Sequence, residues 1–227
     1  MIKAVLLDID NTLLSFDGYV KEALQSGFAH FGLPAYEPYM FDIFELENSK
    51  LWRQLEQGKL DFETLKKIRF NNVFQALGVE CDGPSFEEYF RASLYDSAIL
   101  MPHVEEILEF LKEEGYVLAV ASNGPYEQQV HRLLIAKIQN YFSQYFISEK
   151  IGYSKPSKEF FDYCLQHLEG ISADQCLMVG DSLSSDICGG RNAGMVTCFV
   201  GEAHTVEADY CISDLSKLKE VLKKING

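Results

Sequence analysis

Two aspartates two positions apart, Asp8 and Asp10, are the first residues of the chain whose types and spacing suggest chemistry. They follow an apolar run, and residues two apart on an extended chain project to the same side. Like charges held this close are costly unless a cation or a proton lies between them. The pair therefore suggests a nucleophile and an acid/base around a metal ion, although two such aspartates alone are also typical of a solvated loop.

Polar residues with an affinity for anions follow two later apolar stretches. Ser122 and Asn123 place a hydroxyl, an amide and backbone N–H groups before a predicted helix, which suits an anion, although such residues also serve as ordinary helix N-caps. Lys155 precedes Pro156, and a proline favours extended backbone at the residue before it. The lysine could reach a phosphate as a point charge, or it could lie on the surface like other lysines.

The fourth polar stretch, residues 180–186, has the sequence G-D-S-L-S-S-D. Its two acids, Asp181 and Asp186, lie five residues apart across a predicted strand–loop–helix junction. Carboxylates and waters are the ligands that Mg²⁺ prefers. Asp186 could instead cap the helix that follows, or serve in both roles. Each of the four stretches ends a predicted strand, and together they indicate one site.

The elements that must position these residues alternate along the chain. Short apolar runs predict buried strands at residues 1–9, 116–121, 145–148, 176–179, 195–200 and 210–212. Helical periodicity predicts helices at residues 101–114, from 126 onward, and at 157–166, 186–193 and 215–225. Strands that alternate with helices predict a parallel sheet, whose carboxyl edge gathers the polar residues into one crevice.

The segment between residues 16 and 97 differs, because it lacks apolar strand runs. It predicts four helices, at residues 20–31, 38–57, 61–77 and 85–94, separated by glycine and proline. The expected fold class is α/β: a Rossmann-like, doubly wound, mainly parallel sheet core with a small all-helical domain inserted after the first strand. The core is expected to comprise residues 1–15 and 98–227, and the helical domain residues 16–97.

Composition excludes several classes of function. The net charge of −14 makes a nucleic-acid polymer or an anionic membrane an improbable partner, but allows a small phosphorylated substrate beside a bound cation. No apolar stretch is long enough for a signal sequence or a membrane span. Six cysteines without metal-ligand spacing are expected to be mainly small buried hydrophobes in a reducing compartment, so the expected location is cytoplasmic.

This combination resembles the haloacid dehalogenase superfamily. Its four motifs match D-x-D-x-T at residues 8–12, the strand-ending Ser122, Lys155, and G-D-x-x-x-x-D at residues 180–186. The resemblance spans roughly residues 1–15 and 100–227, and the helical insert matches the position and character of the family's type 1 cap domain. It implies a Mg²⁺-dependent phosphatase that acts on a small phosphorylated metabolite.

The resemblance also implies roles for the site residues. The nucleophile would be Asp8, which forms an aspartyl-phosphate, and the acid/base would be Asp10. Mg²⁺ would be held by the carboxylates of Asp8 and Asp181 and the backbone carbonyl of Asp10. Asp186 would orient water or the metal without binding the metal directly. The phosphoryl oxygens would be held by Ser122, the Asn123 backbone and Lys155. The resemblance also implies that Lys155 is a catalytic residue. The acid at position 10 favours a phosphatase over a dehalogenase, and Gly180 before Asp181 favours hydrolysis over a phosphomutase.

Three residues of the insert, Asn48, Trp52 and Arg69, look like the cap of the pyrimidine nucleoside 5′-monophosphate phosphatases. A tryptophan in an amphipathic helix, such as Trp52, is more typical of a helical core, and Arg69 could equally pair with a cap acid. The best expectation is therefore a nucleoside monophosphate as substrate. The alternatives are a sugar-phosphate phosphatase or phosphomutase of the same superfamily, and a non-enzymatic module that senses phosphate or binds a partner.

Overall fold

A computed structural model describes residues 1–202 and 207–227 of the chain. The chain divides into two compact units. The first comprises Met1–Ser15 and Ala98–Gly227, and the second comprises Phe16–Ser97. Within the described residues, no helix combines the length and the apolar character that crossing a membrane requires.

The first unit is built on a sheet with six parallel strands in its described part, in the order β3-β2-β1-β4-β5-β6. The strands are β1 (Ala4–Leu7), β2 (Val117–Ser122), β3 (Gln144–Ile147), β4 (Cys176–Gly180), β5 (Val196–Val200) and β6 (Tyr210–Ile212). Leu7 at the end of β1 is in register with Val120 of β2 and Val179 of β4. The residues that follow these three strands therefore lie at one edge of the sheet, and the predicted Rossmann-like parallel core is confirmed.

Helices lie in the connections between consecutive strands from β1 to β5 and follow β6, and the second unit is helical. In chain order they are α1 (Phe16–His30), α2 (Tyr39–Glu56), α3 (Phe62–Leu77), α4 (Gly83–Tyr95), α5 (Val104–Glu113), α6 (Tyr126–Ile135), α7 (Ser148–Ile151), α8 (Lys158–Gln166), α9 (Cys188–Asn192) and α10 (Leu218–Asn226). The helices of the first unit cover both faces of the sheet. This double covering explains why the strands are continuous apolar runs and do not alternate with polar residues.

Strand β1 shows how the core is divided between the two faces. Its side chains alternate, and all are fully buried. Val5 and Leu7 belong to the apolar cluster that includes residues of α5 and α10. Ala4 and Leu6 belong to the opposite cluster, with Phe160 of α8. Burial on both faces fixes the strand and hence the position of the residues after it.

The second unit has a core of aromatic side chains contributed by all four of its helices. Six phenylalanines are almost fully buried there: Phe28, Phe44, Phe70, Phe74, Phe86 and Phe90. Two helices begin with aspartate caps, since Asp61 accepts a hydrogen bond from the Thr64 N–H (2.7 Å) and Asp82 from the Ser85 N–H (2.9 Å).

Two predicted boundaries near the first strand are wrong. The strand covers only Ala4–Leu7, because the chain turns after Asp8: the N–H groups of Leu13 and Leu14 both bond the Ile9 carbonyl. Asn11 has φ +55° in this turn, a left-handed conformation that asparagine tolerates. Helix α1 begins at Phe16, four residues earlier than predicted, because Phe16 and Tyr19 both pack against Phe90.

Three further helices start two or three residues later than predicted: α5 begins at Val104, α9 at Cys188 and α10 at Leu218. In place of the helix predicted at residues 186–193, the chain forms a π-helical turn that starts earlier, Leu183–Ile187, and then the short α9. The last helix begins at Leu218, after a 3₁₀ turn at Leu215–Lys217. The cysteine expectation is also too broad: Cys164, Cys176 and Cys198 are buried, whereas Cys188 is exposed and Cys211 only half-buried.

Candidate active site

A buried lysine joins two of the predicted stretches. The Lys155 ammonium donates hydrogen bonds to Asp8 Oδ1 (2.7 Å), Asp186 Oδ1 (2.7 Å) and the Ala121 carbonyl (2.6 Å). An ammonium has three protons, and these three acceptors match them. The Lys155 side chain is 2% exposed and is thus no surface lysine. Through these three hydrogen bonds, the Lys155 ammonium links the residues at the ends of β1, β2 and β4.

The backbone of Lys155 is fixed by the side chain of Asn123. The Asn123 amide donates from Nδ2 to the Lys155 carbonyl, and its Oδ1 accepts from the Lys155 N–H, both at 2.9 Å. The peptide bond between Lys155 and Pro156 is cis. Sequence reasoning offered the amide and the backbone of Asn123 for binding an anion, whereas in the structure the side chain joins the backbone of Lys155 to the end of β2.

The Asp186 carboxylate lies fully buried beside the end of β4. Its Oδ2 accepts from the Ser182 N–H (3.1 Å). The residue that caps the π-helical turn is Ser182, whose side chain accepts from the Ser185 N–H, so the alternative of Asp186 as a helix cap is not observed. A Cβ at position 180 would overlap the Asp186 carboxylate, which explains why glycine stands before Asp181.

Three carboxylates at this edge could share a cation. One oxygen each from Asp8, Asp181 and Asp186 lies within 4.8 Å of the others. Oxygen donors of this charge are the ligands that Mg²⁺ prefers, so the residues fit the metal that the sequence predicts. In the described residues, the carboxylates of Asp8, Asp10, Asp181 and Asp186 face the cations Lys155 and Arg132, an excess of negative charge that a dipositive ion would balance.

Burial and mutual repulsion shift the proton affinities in this group. Burial, with the neighbouring charges of Asp186 and Asp10, raises the pKa of Asp8 to about 7 despite the attraction of Lys155. The pKa of Asp181 is raised well above its usual value by burial and by Asp8 and Asp186. Burial by itself lowers the pKa of Lys155, but Asp186 and Asp8 outweigh it and raise that pKa, so the lysine is cationic.

The Asp10 carboxylate belongs to a second set of contacts. Its Oδ1 accepts from Arg132 NH1 (2.6 Å), and its Oδ2 accepts from Gln129 Nε2 (2.7 Å). The Asp10 side chain is 34% exposed, whereas the Arg132 side chain is 1% exposed. The two aspartates of the first motif therefore have different cationic partners, Lys155 for Asp8 and Arg132 for Asp10.

Ser122 joins the second set of contacts through Gln129. Its hydroxyl oxygen accepts from Gln129 Nε2 (2.9 Å) and from the Gly124 N–H (3.1 Å). Helix α6 starts only after Pro125, and its first N–H, that of Tyr126, donates to Glu149 Oε2 (2.7 Å), so Ser122 is not an ordinary N-cap. A Cβ at position 124 would overlap the Gln129 amide, so glycine is needed for this approach.

The residues predicted to select the substrate lie in the second unit. The Arg69 guanidinium donates to both carboxylate oxygens of Glu87 (2.6 and 2.9 Å) and to Asn48 Oδ1 (3.1 Å). Of the two roles weighed for Arg69, the structure favours the ion pair with an acid of the same unit. Trp52 is half-buried and packs against Phe62, with ring centroids 6.0 Å apart.

Sequence reasoning missed Gln129 and Arg132. They belong to no motif that it used, but a weak signal was available. Both lie on α6, three residues apart and thus on one face, together with the buried Leu133. Long polar side chains are rare on the apolar face of a helix. Two of them on one helix that follows a site residue therefore indicate a buried polar contact.

The family model of the haloacid dehalogenase-like hydrolases matches residues 2–194. The pyrimidine 5′-nucleotidase PynA of Streptococcus pneumoniae is 34% identical over 202 residues, which make up 89% of this chain and 85% of PynA. A glyceraldehyde 3-phosphate phosphatase of Methanothermobacter thermautotrophicus is 30% identical to this chain. The match covers 98% of this chain and 100% of that phosphatase.

A solved structure resembles the whole chain. The HAD-hydrolase YfnB of Bacillus subtilis, crystallised with magnesium, superimposes with a TM-score of 0.90 at 30% identity. The match covers 98% of this chain and 99% of YfnB. The similarity in sequence and in fold therefore extends through both units of the chain.

Proposed function

The chain belongs to the haloacid dehalogenase-like hydrolase family, and from this premise we propose that it is a Mg²⁺-dependent phosphatase of small phosphomonoesters. The observation that carries the proposal is the buried Lys155 ammonium between the carboxylates of Asp8 and Asp186. An anionic phosphoryl group needs such a cation, and a nucleophilic carboxylate beside it can attack phosphorus.

In the proposed reaction, a carboxylate oxygen of Asp8 forms a bond to phosphorus while the bond from phosphorus to the alcohol oxygen breaks. Asp10 gives its proton to the departing oxygen. Water then attacks the aspartyl-phosphate and loses a proton to Asp10, which restores both aspartates and releases phosphate. Positioning and charge stabilisation supply most of the rate enhancement in such reactions.

The remaining residues would position the phosphoryl group and the cation. Ser122 and the Asn123 backbone would bind the phosphoryl oxygens, together with Lys155, which would exchange one of its three present acceptors for a phosphoryl oxygen. Mg²⁺ would be held by the carboxylates of Asp8 and Asp181 and the backbone carbonyl of Asp10, with Asp186 orienting it. When bound, the ion neutralises charge on the phosphoryl oxygens and on the crowded carboxylates. The raised pKa values of Asp8 and Asp181 support a cation between them.

The substrate class is the finer part of the proposal. We propose a nucleoside 5′-monophosphate, supported by the similarity to PynA and by the resemblance of Asn48, Trp52 and Arg69 to a nucleotidase cap. A specific observation also favours a second candidate, a phosphatase of sugar or triose phosphates, because the relative named glyceraldehyde 3-phosphate phosphatase matches nearly the whole chain. The helical unit would select between these substrates.

The test is phosphate release from a panel of phosphomonoesters, with Mg²⁺ and with EDTA. The panel should contain pyrimidine and purine monophosphates, sugar and triose phosphates and an aryl phosphate. We expect Mg²⁺-dependent release that is largest for pyrimidine monophosphates. A maximum on a triose phosphate would keep the mechanism and replace the substrate class. No release by folded protein would favour a module that binds phosphate without hydrolysing it.

The variant Asp8→Asn tests the covalent mechanism. It removes the nucleophile and almost no volume, so we expect turnover to fall at least about 1000-fold while the fold is kept. The matched control is Asp162→Asn, which removes a carboxylate paired with Lys158 on the surface of the same unit. If Asp8→Asn kept most of the activity, no aspartyl-phosphate would lie on the pathway.

A further inference from the structure

We propose that Gln129 and Arg132 of α6 are positioning residues for Asp10, which they hold as the acid/base of the reaction. The inference rests on the proposed phosphatase function and adds to it two residues outside the four sequence motifs. It is carried by a closed set of hydrogen bonds among three side chains and by the burial of two of them.

The three side chains form a ring of contacts. Arg132 NH1 donates both to Asp10 Oδ1 (2.6 Å) and to Gln129 Oε1 (2.9 Å). Gln129 Nε2 donates in turn to Asp10 Oδ2 (2.7 Å). Both oxygens of the carboxylate are therefore engaged by donors that are also bonded to each other. A carboxylate held through both oxygens keeps a single orientation, as the transfer of a proton at a fixed atom requires.

The burial of Arg132 and Gln129 indicates that their contacts with Asp10 are specific. Arg132 and Gln129 are both 0% exposed, although arginine and glutamine are usually surface residues. Burial of a guanidinium is costly unless a carboxylate and hydrogen bonds compensate for it. Asp10 is a carboxylate that pairs with Arg132 at 2.6 Å, and its side chain is itself partly exposed to solvent. The buried cation thus supports an acid that can reach a substrate.

Gln129 also relates Asp10 to the phosphate side of the site. Its Nε2 lies 2.9 Å from the hydroxyl oxygen of Ser122, the residue proposed to bind a phosphoryl oxygen. The same amide group therefore contacts the acid/base and the phosphate-binding hydroxyl. The distance between the proton donor and the phosphoryl group would then be set by one side chain, for which Gly124 leaves space.

The test uses substrates that differ in their need for an acid. An alkyl phosphate needs a proton on its leaving oxygen, whereas p-nitrophenyl phosphate releases a stable anion without one. The variants are Arg132→Met, which loses the donors, Arg132→Lys, which keeps a cation, and Gln129→Leu, which keeps the volume. The control is Gln128→Leu, because Gln128 is a buried glutamine of the same helix outside the ring.

We expect kcat on an alkyl phosphate to fall about 100-fold in Arg132→Met and Gln129→Leu, with KM within about 3-fold of the wild type. Arg132→Lys should recover part of this loss, and Gln128→Leu should match the wild type. On p-nitrophenyl phosphate, the first burst of nitrophenolate should keep its rate, whereas the following turnover should slow because Asp10 also activates water. A merely structural role would slow the burst as well.

The outcomes separate the inference from the proposed function. If the wild type releases no phosphate from any ester, the proposed function fails and the inference falls with it. If the wild type is active and the variants keep kcat on the alkyl phosphate, only the inference fails. Equal losses in burst, turnover and alkyl hydrolysis, in variants that remain folded by circular dichroism, would also overturn it, because they would show general distortion of the site.

Discussion

The buried ion pair of the helical unit gives the sharpest prediction of stability. Arg69 and Glu87 have side chains only 5% exposed, joined by two hydrogen bonds to the same carboxylate. The guanidinium also lies over the Phe90 ring, 4.8 Å from its centroid. The change Arg69→Met keeps most of the apolar volume and leaves the Glu87 carboxylate buried without its cation.

Breaking a buried pair by removing one partner costs about 3–5 kcal/mol, because the remaining charge is uncompensated. We expect Arg69→Met to lose about that much free energy of unfolding. The surface pair of Lys158 and Asp162, whose side chains are 70% and 42% exposed, is the control. Lys158→Met should cost about 1 kcal/mol or less, because exposed pairs are screened by water.

The assay is urea unfolding followed by the fluorescence of Trp52, the single tryptophan of the chain, which lies in the helical unit. The double variant Arg69→Met with Glu87→Leu removes both charges and should recover at least half of the loss. A cost below about 1 kcal/mol for Arg69→Met would refute the reasoning. In the stable double variant, an unchanged KM would assign Arg69 to the helical core, and a raised KM would assign it to substrate binding.

Four further outcomes are expected. Asn123→Ala removes both bonds to the Lys155 backbone and should lower kcat about 10- to 100-fold in a folded protein, as steady-state kinetics will show. Mg²⁺ should raise the melting temperature more at pH 8 than at pH 6, because the Asp8 pKa of about 7 makes metal compete with a proton at the lower pH. Without metal, the stability should fall as pH rises from about 4 to 7, since the folded state holds the Asp8 proton more tightly than the unfolded state. Gly180→Ala should cost about 1–3 kcal/mol in urea unfolding, because its Cβ would overlap the Asp186 carboxylate.

The sheet was predictable because each of its strands is a short apolar segment that can be recognised from the local sequence. Strand β1 is a short apolar run between two neighbours, and such runs are recognisable whatever packs on them. Once the strands are placed, the parallel order brings the ends of β1, β2 and β4 together. This is why Asp8, Ser122 and Asp181 could be assigned to one edge before the structure was known.

Contacts between distant side chains were not predictable in the same way. The pairing of Asp10 with Arg132 joins residues 122 positions apart, and that of Arg69 with Glu87 joins residues 18 apart on different helices. Periodicity indicates which face of a helix is buried, but not which polar residue on that face meets a partner. The early start of α1 has the same origin, because it depends on the packing of Phe16 and Tyr19 against Phe90 of another helix.

The separate partners of Asp8 and Asp10 explain how two carboxylates so close in sequence can do different work. Two like groups in one environment would share a proton and could not be told apart by the reaction. Here Asp8 is buried against Lys155, whereas Asp10 faces Arg132 and Gln129 and remains partly exposed. Asp8 directly follows β1, whereas Asp10 lies in the turn in which the N–H groups of Leu13 and Leu14 bond the Ile9 carbonyl. The proposed division of roles between nucleophile and acid/base would therefore depend on the turn that holds Asp10 and on Gln129 and Arg132, which follow it by 119 and 122 residues.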